Sequence, residues 1–185
     1  MKKYITLLAI FSFLMTNAQF KKGVIYLKDG NTYEGLIKLK KFGGIKYKEN
    51  EASEAQSFDF IQMKGYDVTE HGRVKFRYKK VGDFHKMMKV VRLGKINLYS
   101  VFVSNEVKDQ GFIKKKTMIE ELPISSGNIY YIEKWETTVR IGSKIKKGKL
   151  YLFEGCPILL EKIKKKEFKK DDIYKIVNYY INDCK

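Results

Sequence analysis

The apolar residues of this 185-residue chain change their period once, and that change sets what the chain can fold into. From Val24 to Ile141 they come in short runs that alternate with polar residues, and glycines and polar clusters punctuate the runs. From Cys156 onward they recur at every third or fourth position. Alternation places side chains on opposite faces of a strand, whereas spacing of three and four places them on one stripe of a helix. Strands first and helices last is an α+β arrangement. The expectation is a twisted antiparallel β-sheet of seven to nine short strands, open or barrel-like, followed by a C-terminal helical hairpin.

Individual segments fit this pattern. Val24–Leu27 and Thr32–Leu39 flank Asp29-Gly30, a pair that reads as a type I′ hairpin turn. Gly35 inside the second arm suggests a bulge or a sharp bend. Ile45–Lys48 follows. Glu49–Ser57 reads as an exposed loop, Phe58–Met63 as a strand, and Asp67–Gly72 as a turn. In Arg73–Lys79, Val74, Phe76 and Tyr78 alternate with Arg73, Lys75, Arg77 and Lys79, as in a strand with one wet face. Met87–Leu93, Ile96–Ser104, Ile129–Trp135 and Thr138–Ile141 complete the strand set. An outer-membrane barrel fits poorly, because its strands carry an apolar outer band and these carry Lys and Arg.

In the tail, Pro157 suits the first helical position, and Leu159, Leu160 and Ile163 share a face. Lys164, Lys165 and Lys166 close that helix at the negative end of its dipole. Asp171 reads as the N-cap of a second helix whose stripe is Ile173, Ile176, Val177, Tyr180 and Ile181. Lys144–Phe153, interrupted by Gly148, fits neither period clearly. Cys156 and Cys184 are the chain's two cysteines. Paired as a disulfide, they staple the helical hairpin (about 156–184) across its open end.

The first residues address location. Lys2 and Lys3 precede Tyr4–Met15, an uncharged run of 12 residues, and Thr16-Asn17-Ala18 ends on a small residue. This is the pattern of a cleaved signal peptide over 1–18, too short for a spanning helix. The expected mature chain, 19–185, is a single β-rich domain with its helical hairpin, exported to the periplasm or secreted. The formal charge of +17 comes from 38 Lys and Arg against 21 Asp and Glu, and loss of Lys2 and Lys3 leaves about +15. Such a charge attracts anionic partners. Only four of the 38 basic residues are Arg, the residue that reads phosphate and base edges in a fork, which disfavours a nucleic-acid partner.

Three stretches carry a resemblance: Gly23–Gly35, Leu93–Tyr99, and the tail from Gly155-Cys156-Pro157 through Ile176–Tyr180 to Cys184. With the Thr-Asn-Ala-Gln leader end, the chain resembles a group of exported proteins of the Bacteroidota that carry no assigned activity. The resemblance implies export and architecture, and it transfers no catalytic residue. The first hairpin alone is similar to the opening strands of Sm-like small barrels, but the Asp-x-x-Met-Asn run of their RNA site is missing here.

Motifs for chemistry are sparse. The histidines are His71 and His85, in a polar turn and at a strand entrance, without a nucleophile elbow or Ser-x-x-Lys pattern. Asp67, Glu70 and His71 amount to a weak metal cluster at best. Glu120-Glu121 and Asp171-Asp172 are the adjacent acidic pairs, and the second reads as helix capping. No catalytic residue, cofactor or metal is assigned. The basic stripe Arg73, Lys75, Arg77 and Lys79 is the candidate polyanion contact. The functional expectation is an exported, non-enzymatic protein that binds an anionic envelope component or a partner protein through a basic sheet face. The alternatives are an enzyme with a dispersed carboxylate site of the glycan-hydrolase kind, and an exported nucleic-acid binder.

Overall fold

The computed structural model describes residues 20–40, 44–69, 72–103 and 127–184. The leader segment, His71, Glu70, the Glu120-Glu121 pair and the 105–122 stretch lie outside the described residues. The described residues form ten strands, antiparallel in every described pairing, with three helical segments after them. The α+β arrangement is therefore present, with one strand more than the upper expectation. The chain divides into two compact units, 1–75 and 76–185.

In the first unit, β1 (Lys21–Leu27) lies between β2 (Thr32–Leu39) and β5 (Met63–Thr69). β3 (Ile45–Lys48) and β4 (Gln56–Phe58) continue outward from β2. In the order β5-β1-β2-β3-β4 the last strand does not pair back to the first, so the set does not close on itself. Asp29-Gly30 does turn the chain, but by a different route from the expected type I′ pair. Leu27 N–H donates to the Asn31 carbonyl at 2.9 Å, leaving a three-residue connection in which only Gly30 has a positive φ, +99°. Three-residue hairpins place a glycine at that left-handed position. The Asp29 carboxylate accepts from Asn31 N–H at 2.9 Å, the Asx contact that Asp supplies in turns. Gly35 pairs in regular register with Gly23. Its glycine identity answers to close approach, since a Cβ there would lie 2.7 Å from the Tyr47 ring and 2.3 Å from the Lys48 carbonyl.

Two segment expectations are corrected here. Phe58–Met63 is not one strand. β4 ends at Phe58, the chain turns through Asp59, whose carboxylate accepts from Ile61 N–H at 2.8 Å, and β5 starts at Met63. Asp67 is not in a turn but inside β5, and it is buried.

β6 (Arg73–Val81) carries the chain into the second unit, whose strand order continues with β7 (Phe84–Arg92), β8 (Asn97–Val103), β9 (Gly127–Lys134) and β10 (Thr137–Gly142). Leu98, Ile132 and Ile141 point to one face of these strands. They pack with Leu152 and Phe153 from the 3₁₀ helix Lys147–Phe153, and with the inner faces of α1 (Pro157–Lys164) and α2 (Ile173–Asn182). The α2 stripe is the one the spacing predicts: Ile173, Ile176, Val177 and Tyr180 are all buried. Gly94, in the β7–β8 turn, lets Ile181 approach, because a Cβ would sit 2.7 Å from its side chain. The opposite sheet face carries a smaller cluster of Met88, Tyr99 and Tyr131.

Cys156 and Cys184 form a disulfide with Cα atoms 5.5 Å apart, joining the residue before α1 to the second residue after α2. That is the expected staple. The N-cap of α2 is Asp172 rather than Asp171, and it acts without a side-chain cap hydrogen bond. Ambiguous Lys144–Phe153 resolves into the 3₁₀ helix.

Candidate functional site

The basic stripe lies on β6 as expected, but its members are not equivalent. Arg73 donates from Nε to Asp67 at 2.9 Å and from Nη2 to the Tyr26 hydroxyl at 3.0 Å, while Tyr26 donates to Asp67 at 3.1 Å. Lys75 is exposed. Arg77 is half-buried and donates to the Phe76 carbonyl at 2.8 Å. Lys79 is half-buried and ion-paired with Glu133 at 2.6 Å. Two of the four cations are thus partly neutralised by buried or half-buried carboxylates.

The Lys79–Glu133 pair also reports the shape of the second unit. β7 and β8 lie between β6 and β9, and neighbouring strands are about 4.8 Å apart, so a flat sheet would separate the two backbones by roughly 14 Å. A direct ion pair requires these strands to curl around the Met88–Tyr99–Tyr131 face, in the sense that sheet twist allows. Glu133 also accepts from Asn97 at 2.9 Å and from the Tyr99 hydroxyl at 2.7 Å. The Lys79 ammonium stands 5.2 Å from the centre of the Tyr99 ring. Burial pushes the Glu133 carboxyl up. The hydrogen bonds from Lys79, Asn97 and Tyr99 outweigh burial and hold it below the ordinary carboxylate range. Burial first, and then the neighbouring Glu133 carboxylate, hold the Tyr99 hydroxyl well above its ordinary range.

With Lys79, Asn97 and Tyr99 all bonded to Glu133, this cluster is built for stability, and its pH dependence has a definite sign. A carboxyl whose folded-state value is depressed stabilises fully above its unfolded value, about 4.3. The contribution disappears as pH falls through the folded-state value. Glu133→Gln is expected to lower stability by about 2 kcal/mol at pH 7, because it leaves the Lys79 ammonium without its counter-charge. Denaturant unfolding of both proteins from pH 7 to pH 3 checks this. The variant's stability should fall less steeply below about pH 5, and parallel curves would remove Glu133 from the account.

The second constellation was not visible in the sequence. The 3₁₀ helix, α1 and the connection after α1 enclose a groove of about 740 Å³, within the usual size of ligand sites. Its apolar part is Leu150, Tyr151, Leu160 and Ile163, and its basic part is Lys147, Lys164, Lys166 and Lys170, with Glu154 as the one acidic lining residue. Two contacts hold the connection in place. Ile145 N–H donates to the Lys170 carbonyl at 2.7 Å, and the Phe168 ring packs on Tyr179 with centroids 5.4 Å apart. Neighbouring Lys162 and Lys165 are ion-paired with Glu167 and Glu161, each at 2.7 Å. Among the described residues, none of the four groove lysines has a carboxylate partner.

The end of α1 explains how one of them reaches the groove. Glu167 N–H donates to the Lys162 carbonyl at 2.9 Å and Lys166 N–H to the Ile163 carbonyl at 3.2 Å, the two bonds of a Schellman cap. Lys166 therefore occupies the left-handed position, with φ +65°, where glycine is the usual residue. The run Lys164–Lys166 predicts Lys166 in the last helical turn. It instead stands beyond the helix end, in a conformation that costs a non-glycine residue about 1 kcal/mol.

No family model, curated protein or solved structure matches this chain.

The remaining sequence-singled residues do not converge. His85 is exposed on β7, opposite Lys80. Asp172 caps α2 and lies 3.9 Å from Lys175. Asp67 belongs to the first unit and Glu133 to the second. Among the described residues, no group of three or more His, Cys, Asp or Glu could hold a metal ion. The signal that could have found the groove was Lys166, a lysine at the position after a helix end, together with Lys147, which also has no acidic residue three or four positions away.

Proposed function

We propose that this chain is an exported, non-enzymatic binding protein for an anionic component of the cell envelope, and that the contact is the lysine-lined groove of the second unit. One observation carries the reading: four lysines without carboxylate partners among the described residues line one groove, while neighbouring lysines are paired. Four lysine side chains lining one concavity give it a positive potential that favours an anion. On β6, by contrast, Arg73 and Lys79 already have acidic partners. Export is supported by the leader-like first 18 residues and by a disulfide, a cross-link that persists in oxidising compartments. Among the described residues no helix is long and apolar enough to cross a membrane.

The test uses heparin as the polyanionic probe, with the exported, disulfide-bonded protein. Affinity is expected to fall as salt rises, because exposed charges are screened. K147E/K164E/K170E should weaken binding by at least about tenfold, from three exposed charges each worth up to about 1 kcal/mol. K75E, on the β6 stripe, should leave it within about twofold. The reverse ranking would return the contact to the sheet face, and salt-independent binding would remove the electrostatic basis altogether.

A further inference from the structure

We infer that the ligand of the lysine-lined groove is an anionic amphiphile with a single alkyl chain, its acidic head among the lysines and its chain along Leu150, Tyr151, Leu160 and Ile163. This rests on the reading of the groove as an anion site and narrows it. A polyanion such as a glycan or nucleic acid is best met by a flat, polar, basic surface. Here the four lysines stand beside four apolar side chains, of which Tyr151 is 41% exposed and Leu150 and Leu160 are partly exposed. Cationic side chains beside an accessible apolar strip match a molecule with one charged end and one apolar end. Charge fixes the sign of the head group: four Lys against Glu154 reject a cationic amphiphile.

Lys166 gives independent support. A left-handed non-glycine residue persists where surrounding structure or a ligand role holds it, and such strain gathers at ligand clamps. The Schellman bonds at Lys166 are backbone bonds that glycine makes at lower cost. What lysine adds at that position is a cationic side chain in the lining of the groove. Lys166→Gly therefore separates stability from binding: the protein should become more stable, with a higher melting temperature, and bind the ligand less tightly.

The probes are octanoate, decanoate and dodecanoate, with dodecyltrimethylammonium as the chain of opposite charge, all measured by titration calorimetry below their micelle concentrations. One molecule of dodecanoate should bind per chain, with affinity rising up to about fourfold per added methylene. Dodecyltrimethylammonium should bind at least about 100-fold more weakly. K166G should raise the melting temperature and weaken dodecanoate about threefold or more, and K147E/K164E/K170E should weaken it further. Equal binding of the cationic and anionic chains would overturn the inference, as would affinity that does not respond to chain length or to the lysine changes. Groove-dependent binding of heparin without binding of dodecanoate would overturn the amphiphile and leave the anion site standing. Failure of both probes would overturn the two together.

Discussion

Replacing Cys156 and Cys184 by alanine is expected to lower the stability of the second unit by about 3–4 kcal/mol. The estimate comes from the 28-residue separation the bond spans, through the chain-entropy cost of closing a loop of that size. α1 and α2 are 8 and 10 residues long, too short to persist as isolated helices, so they depend on packing and on the bond that holds their open end. A shift in melting temperature of roughly 10 °C follows for a chain of this size. Calorimetry of the variant, and of the wild type with and without reductant, checks it. A loss below about 1 kcal/mol would mean that the packed face of α2 alone fixes the tail. The native protein should also titrate without free thiols.

Lys134 supplies the second large effect. It is 9% exposed, and among the described residues it has no carboxylate partner. Its ammonium donates to the Leu152 carbonyl at 2.8 Å and to the Tyr180 hydroxyl at 3.0 Å, and it stands 4.2 Å from the centre of the Trp135 ring. One buried cation thus ties β9 to the end of the 3₁₀ helix and to α2, with ring faces supplying part of the compensation that an anion usually gives. Lys134→Ala should cost about 3 kcal/mol, since it removes a packed four-carbon stem and leaves the Leu152 carbonyl without its donor. Lys134→Met keeps the stem and should cost about 1–2 kcal/mol. Chemical denaturation of both variants measures the difference. A Lys134→Met protein as stable as wild type would show that the two hydrogen bonds add nothing beyond the packing.

Residues whose role is fixed by local spacing were legible in the sequence. The α2 stripe, Pro157 at the first turn of α1, and the pairing of Cys156 with Cys184 follow from period, ring geometry and redox chemistry, and all three are present. Turn chemistry was less reliable. Asp29-Gly30 uses only its glycine in the left-handed region, whereas Trp135-Glu136, with φ of 51° and 62°, makes the tight β9–β10 turn without glycine or asparagine. Packing on both sides of that turn overrides the local preference. Glu133 and Lys134 look like one wet dipeptide at a strand end. Because a strand sends neighbours to opposite faces, each is instead withdrawn into a different polar network. Asp67 was misplaced for the same reason, since its burial depends on Arg73 and Tyr26 arriving from elsewhere. The groove was least legible. Lys147 and Lys170 are 23 positions apart, and only the fold makes them neighbours of one concavity.

Trp135 is the chain's single tryptophan, 75% exposed at a hairpin tip above the Lys134 ammonium. Its indole is therefore a natural optical reporter for one corner of the molecule and not for the interior. Emission from the native state should already resemble that of a hydrated indole, and soluble quenchers should reach it without unfolding. Fluorescence changes on denaturation will then follow the release of the ring from its cation, whereas the melting of the helices has to be followed by circular dichroism.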